Sequence, residues 1–503
     1  MKTRIIFALF ALLFQLPYSY SQTGKKEIAA LDAYIEKSIR DWEVPGMTVS
    51  IVKDGKIILS KGYGVRNMHH PEKVDTKTIF GIASTTKAMT AMAVGMLVDE
   101  GKLNWNDKVV DYMPELRFDD AYITANTRVK DLLTHNTGLG NTDFLWYIRN
   151  DLNGDEILDK VADIPMTYGF RGGYVYQNIM YLAAGKLIEK VSGIPWGAFV
   201  EQRIFKPLGM AGSYPNRAAS MPEKNRSTPH YKIDGNIETI QDMDADQVAP
   251  AGAVWSNAED MTKWMICLLD SSKYAGGRLV SSETYNTLFK PHTLIPEESF
   301  YPTTKLTKPN WTSYGLGWFQ HDYQGRMVNF HTGSLSGTIA IMGLIKEENL
   351  GVYILGNLDH AEVRHAIMYK VFDHFLKVKP RDWSKEVMDL YRTFEDAEKD
   401  REEELINKKV ENTSPSLDLK NYTGTYFSPL YGEVSVELES EKLLIRVTNE
   451  LSLTLEHWHY DVFQGAYSKK EWGKTLVQFV LNQDGKVYEM TFDNLSYSKV
   501  PEE

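Results

Sequence analysis

One cysteine, Cys267, is all that the 503 residues provide, so no disulfide can close within the chain. A cysteine-built zinc fold is excluded with it. Basic residues are fewer than acidic ones, 56 against 67, and the net charge of −11 lacks the basic excess that nonspecific nucleic-acid binding draws on. Beyond the N-terminus no apolar run approaches the roughly 20 residues that a membrane-spanning helix needs. There is no internal repeat. Hydrophobic residues make up 43% of the chain, enough to fill packed cores, which excludes a wholly disordered or collagen-like protein. The length of 503 residues predicts about three domains.

The N-terminus reads as an export signal, residues 1–21. Lys2 and Arg4 precede an apolar run from Ile5 to Leu16, and Ser19-Tyr20-Ser21 supplies small residues at the spacing of a signal-peptidase site. The run is too short to span a bilayer. Cleavage after Ser21 removes Lys2 and Arg4 and takes the net charge from −11 to −13. A periplasmic or extracellular bacterial protein is expected. After cleavage no integral membrane segment remains.

Further along, apolar spacing predicts a helix over 27–42, with Ile28, Leu31, Ile35 and Ile39 on one face. The β-rich runs Met47–Val52 and Lys56–Lys61 flank Asp54-Gly55, a type I′ hairpin pair. Helices are predicted from Ser84 to Glu100, from Asn178 to Val191, and from Ala258 to Leu269 capped by Asn257 or Ser256. Ile339–Ile345 and Gly351–Leu355 read as adjacent strands. A boundary falls near 380. Residues 380–416 form a charged helical linker whose Trp383, Val387, Leu390 and Phe394 sit at helical spacing for packing. From 417 to 503 the pattern alternates: Val434/Val436/Leu438, Leu443/Ile445, Leu451/Leu453/Leu455, Val477/Phe479/Leu481 and Tyr488/Met490/Phe492. That predicts a small antiparallel β-barrel.

Ser84-Thr85-Thr86-Lys87 carries the first chemistry. One helical turn separates a hydroxyl from an amine, so Lys87 Nζ can reach Ser84 Oγ. A serine needs its proton removed before it attacks, and a lysine can remove it only if burial or positive potential lowers its pKa. The run Ala88-Met89-Thr90-Ala91-Met92-Ala93-Val94 predicts a buried helix, where a lone lysine is costly without a role. Tyr176-Gln177-Asn178 supplies a phenol that becomes basic beside an ammonium, and an amide able to hold Lys87 or a substrate carbonyl. Tyr176 and Lys87 can share one proton. Metal spacings fail elsewhere. His360 and His365 are not i and i+4, His457-Trp458-His459 lacks a third ligand, and the glycine of Asp151–Asp155 falls too early for a calcium loop.

Three motifs in order, Ser84-x-x-Lys87, Tyr176-Gln177-Asn178 and His331-Thr332-Gly333, make the chain resemble the serine β-lactamase-like hydrolases. These include class C β-lactamases, low-molecular-weight penicillin-binding proteins, D-aminopeptidases and related esterases. The flanks 131–139, Phe205-Lys206-Pro207-Leu208-Gly209-Met210 and Tyr314-Gly315-Leu316-Gly317-Trp318 match too, over roughly residues 27–378. The resemblance implies an α+β fold: an antiparallel sheet flanked by helices, plus a helical body, over 22–379. It implies Ser84 as nucleophile, Lys87 and Tyr176 as proton carriers, and Asn178, His331, Thr332 and Gly333 as substrate-binding residues. It places the oxyanion hole at the backbone N–H groups of Ser84 and Ser334. His331 departs from the family, which has a lysine there. A mostly neutral imidazole disfavours carboxylate-bearing β-lactams and peptides, and favours an ester or neutral amide. Gly333 is expected to let substrate approach the strand edge. Residues 418–500, opening with Asn421-Tyr422-Thr423-Gly424-Thr425-Tyr426, resemble the lipocalin-like domain that follows such hydrolases.

The expected protein is an exported serine hydrolase acting on a small ester or peptide through a Ser84 acyl-enzyme, without metal or organic cofactor and without nucleic acid. The alternative is a penicillin-binding or sensor-type protein that is acylated slowly or binds without turnover. The barrel is expected to cover part of the cleft.

Overall fold

The runs on either side of Asp54-Gly55 form the expected hairpin, β1 (Gly46–Lys53) and β2 (Lys56–Gly64). Asp54 and Gly55 take φ of 53° and 71°, as a type I′ turn demands. The hairpin is one edge of an eight-stranded antiparallel sheet in the computed structural model, which describes residues 16–501. The expected signal, residues 1–21, lies for the most part outside the described residues. The other strands are β3 (Thr293–Leu294), β4 (Thr312–Tyr314), β5 (Phe319–Tyr323), β6 (Arg326–Leu335), β7 (Thr338–Ile345) and β8 (Leu350–Gly356). Their order is β2-β1-β8-β7-β6-β5-β4-β3.

Seven helices matter for the site: α1 (Leu16–Asp41), α2 (Lys87–Asp99), α3 (Asp143–Ile148), α4 (Asn178–Ser192), α5 (Ala258–Leu269), α6 (Val363–Leu376) and α7 (Trp383–Asn407). They cover both faces of the sheet, so β7 and β8 are buried along their length. Strand alternation sorts the side chains between two cores. Ala340, Met342 and Leu344 join residues of α2, α4 and α5, while Ile339, Ile341 and Ile345 join residues of α1 and α6. Each such burial contributes about 1.5–3 kcal/mol relative to exposure. In α2 every residue from Lys87 to Leu97 is buried.

Two expectations shift. The predicted helix from Ser84 begins as a 3-10 turn, Ala83–Thr86, and becomes α-helical only at Lys87. In α7, Trp383 and Val387 are fully buried, with Trp383 Nε1 donating to Asp373 Oδ2 at 2.6 Å. Packing fades beyond them, and Phe394 is exposed because the helix has passed the edge of the body.

The C-terminal strands close an eight-stranded antiparallel barrel from Gly424–Ser428 to Leu495–Lys499, each beside its neighbour in sequence. Val434, Val436, Ile445, Leu453, Phe479 and Met490 fill its interior. Leu438 and Tyr488 are exposed, against the alternation. A register shift between Val480 and Leu481 turns Val487 inward and Tyr488 outward. The barrel docks on α3: Ile148 belongs to the barrel's core, and Arg149 donates to the Tyr431 carbonyl at 2.6 Å. No helix among the described residues is long and apolar enough to cross a membrane.

Candidate active site

The turn Ala83–Thr86 sets Ser84 above the head of α2, where Lys87 begins the buried helix. Ala83 holds φ at 47°, a conformation that costs a non-glycine residue energy and turns the chain sharply into the motif. Lys87 is 0% exposed. Its Nζ lies 3.1 Å from Ser84 Oγ, 2.5 Å from Asn178 Oδ1 and 2.8 Å from the Ala251 carbonyl. Burial brings its pKa down to about 7, although Asp143 pulls the other way. The ammonium also sits 4.8 Å from the centre of the Tyr176 ring and 5.2 Å from that of Tyr181.

Tyr176-Gln177-Asn178 enters α4 extended, with Gln177 at φ −136° and ψ 113°. In an extended segment residues i and i+2 share a face. Tyr176 and Asn178 therefore both meet Lys87, while Gln177 turns away and donates from Nε2 to the Leu139 carbonyl at 2.7 Å. The Gln177 N–H donates to His135 Nδ1 at 3.0 Å, and the His135 ring lies 4.4 Å from that of Tyr176. His135 thus fixes the segment, a task invisible in its flanking motif. Ser84 beside the Tyr176 hydroxyl pulls its pKa down, yet burial outweighs it and raises the phenol well above the ordinary range. The surroundings push the phenol to keep its proton and the amine to lose one.

Strand β6 carries the third motif. His331 is 1% exposed with both ring nitrogens engaged: Tyr314 OH bonds Nε2 at 2.8 Å and Nδ1 bonds the Thr332 carbonyl at 2.6 Å. Burial lowers its pKa to about 3, so the imidazole is neutral. It packs against the Phe319 ring, 5.1 Å away between ring centres. The Thr332 hydroxyl bonds that of Tyr301. Gly333 faces the turn that carries Ser84. A Cβ there would stand 2.3 Å from the Ile82 carbonyl oxygen and 3.1 Å from Ser84 N, so its bareness admits the nucleophile's turn. Ser334 follows, half-buried, at the mouth of the cleft.

Arg364, passed over in the sequence, anchors this strand end. It donates to the Gly333 carbonyl at 2.6 Å and to Ser334 Oγ at 2.9 Å, and pairs with Glu362 at 2.8 Å, all within the interior. The same Glu362 flanks His365 at 3.3 Å. Among the described residues no cluster of three or more His, Cys, Asp or Glu side chains is placed to hold a metal.

Beside Ser334 a cavity of about 450 Å³ separates the hydrolase body from the barrel. Phe144 and Tyr147 of α3, Asp359, and Glu471, Trp472 and Lys474 of the barrel line it. Trp472 lies 6.2 Å from Phe144 and 6.5 Å from Tyr147, ring centre to ring centre. The barrel is thus one wall of the space beside Ser334.

Known proteins share this architecture. The unguisins hydrolase ungD' of Aspergillus campestris is 26% identical over 437 residues, covering 84% of this chain and 79% of that one. Protein flp of Staphylococcus aureus is 25% identical over 345 residues, 65% of this chain and 62% of its own. Among solved structures, the octameric penicillin-binding protein homologue from Pyrococcus abyssi superposes with a TM-score of 0.63 at 22% identity, over 94% of this chain and all of that one. SurE superposes with a TM-score of 0.58 at 18% identity, over 95% of this chain and 99% of SurE. Residues 408–502 match a domain of unknown function (DUF3471). The Beta-lactamase family model matches residues 31–372, the whole of the sheet and the segments that carry Ser84, Lys87 and Tyr176, and the chain belongs to that family.

Proposed function

We propose that the protein hydrolyses a small ester or amide through an acyl-enzyme on Ser84. One observation carries the reading: the fully buried Lys87 amine is surrounded by three oxygens. A neutral amine has two hydrogens and one lone pair. The Asn178 and Ala251 oxygens take the hydrogens, and the lone pair faces the Ser84 hydroxyl. With its pKa near 7, a large share of Lys87 is neutral at physiological pH.

Lys87 takes the Ser84 proton as Oγ bonds the substrate carbonyl carbon, and the carbonyl electrons move to oxygen. The Ser84 and Ser334 N–H groups receive that oxyanion; one such donor is worth about 3 kcal/mol of barrier. The tetrahedral centre collapses, the leaving group departs with a proton handed on by Lys87 or Tyr176, and an acyl-serine remains. Water then attacks while the same pair carries protons, releasing acid and restoring Ser84. General acid–base transfer of this kind contributes about 10²–10⁴-fold.

The neutral, fully engaged His331 offers no cation for a substrate carboxylate, which supports an ester or neutral amide, a peptide with a D-residue included. Alignment of a hydrolase across 84% of the chain supports turnover over slow trapping. The basic-then-apolar N-terminus supports action outside the cytoplasm. The test is turnover of nitrophenyl esters, β-lactams and D- and L-aminoacyl amides by the parent and Ser84→Ala, with mass spectrometry of the Ser84 adduct. Steady turnover abolished in Ser84→Ala is expected. Turnover that survives the change refutes the reading, and a single stoichiometric burst in the parent assigns slow acylation instead.

A further inference from the structure

Asn178 joins two groups of opposite hydrogen-bonding character. A carboxylate only accepts, and the Lys87 amine meets Asn178 as a donor. The amide bridges them in one orientation: Nδ2 donates to Asp143 Oδ2 at 2.8 Å, and Oδ1 accepts from Lys87 Nζ at 2.5 Å. Flipped, it would set carbonyl against carboxylate and N–H against amine. Asp143 is itself held, since Trp146 Nε1 donates to its Oδ1 at 3.1 Å and its own N–H donates to Asn141 Oδ1 at 2.9 Å. The remainder of α3 is clamped by the barrel through Ile148 and Phe144.

We propose that Asp143 is a positioning residue for the proposed hydrolysis: it orients Asn178, and through that amide holds Lys87 on Ser84 and sets the pH at which the amine is free to act. The inference rests on the reading of Lys87 as the base. The groups facing Lys87 are Asp143 from α3, Tyr176 and Tyr181 from the α4 segment, His135 from the loop before it and His331 from β6. Burial lowers both histidines and raises both tyrosines, so these four are neutral near pH 7. Asp143 is the opposite charge that draws the lysine proton on. Its removal disfavours the ammonium, and the lysine pKa falls.

The test is kcat/KM against pH on a nitrophenyl ester, whose acid limb reports the free enzyme's base, here the Lys87–Tyr176 pair. Asp143→Asn is expected to move that limb down by on the order of one pH unit, the usual reach of a neighbouring charge. Its plateau kcat should fall about 10–100-fold through lost alignment. Asp143→Glu, which keeps the charge, should leave the limb close to the parent's. Asp143→Ala gives the same direction as Asp143→Asn and serves if the latter does not fold. In an Asn178→Ala background the plateau loss from Asp143→Asn should shrink to about twofold or less, because the bridge is already cut. An acid limb that stays in place, or a plateau loss equal with and without Asn178, overturns the proposal while the nucleophile reading stands. Turnover by Ser84→Ala overturns that reading itself.

Discussion

Adding one methyl group at Gly333 drives it into the turn that carries Ser84. The new Cβ would stand 2.3 Å from the Ile82 carbonyl oxygen and 3.0 Å from the Ala83 Cβ. Unstrained carbon–oxygen approaches begin at about 3.3 Å, so the two backbones must part by about 1 Å. Neither yields easily. The Ile82 oxygen accepts from Thr85 Oγ1 at 2.8 Å, and the Gly333 carbonyl is tied to Arg364. A 1 Å misplacement costs about 10²-fold in rate, or about 2.7 kcal/mol of barrier. Overpacking costs a further ~1–3 kcal/mol of stability. The assay is kcat/KM on a nitrophenyl ester for Gly333→Ala, paired with a urea melt. A loss of about 100-fold in a protein that still melts cooperatively is expected. Parent-like activity refutes the reasoning, because it would mean that β6 does not set the position of Ser84.

Arg364→Ala leaves the Glu362 carboxylate in the interior without its guanidinium, and removes the tie on Gly333 and Ser334. Melting should show a loss of about 3–5 kcal/mol, accompanied by lower kcat. Trp472→Ala removes the barrel's aromatic wall from the 450 Å³ cavity. Hydrolysis of bulky acyl esters should rise relative to acetate, with acetate turnover little changed; an unchanged preference refutes a gating role for the barrel. This point change is a cleaner test than deleting residues 380–503, which would also pull Trp383 from its stack on Tyr369, 4.8 Å away.

Local patterns were legible because they depend on neighbours in sequence. The Asp54-Gly55 turn, the capped helix Ala258–Leu269 with Asn257 accepting from the Asp260 N–H, and the barrel's alternation follow from backbone conformation and side-chain period. The Ser84-x-x-Lys87 and Tyr176-x-Asn178 spacings were readable for the same reason: one turn in a helix and two residues in an extended segment each place two groups on a face. The misreadings came from long-range packing. Phe394, Leu438 and Tyr488 fit an apolar pattern, yet each stays exposed.

The sequence alone determined which groups were available for chemistry: a hydroxyl, an amine, a phenol and an amide, in an order that names a family. Tertiary structure decided their states. It pushed both Lys87 and Tyr176 toward their neutral forms, since a charge's cost depends on what surrounds it, not on which residue bears it. It turned His331 inward, set Gly333 against the nucleophile's turn, and brought Asp143 and Arg364 to a site from which the chain separates them by dozens of residues. Such contacts form only when strands and helices distant in sequence close on one another, and no local pattern encodes that meeting.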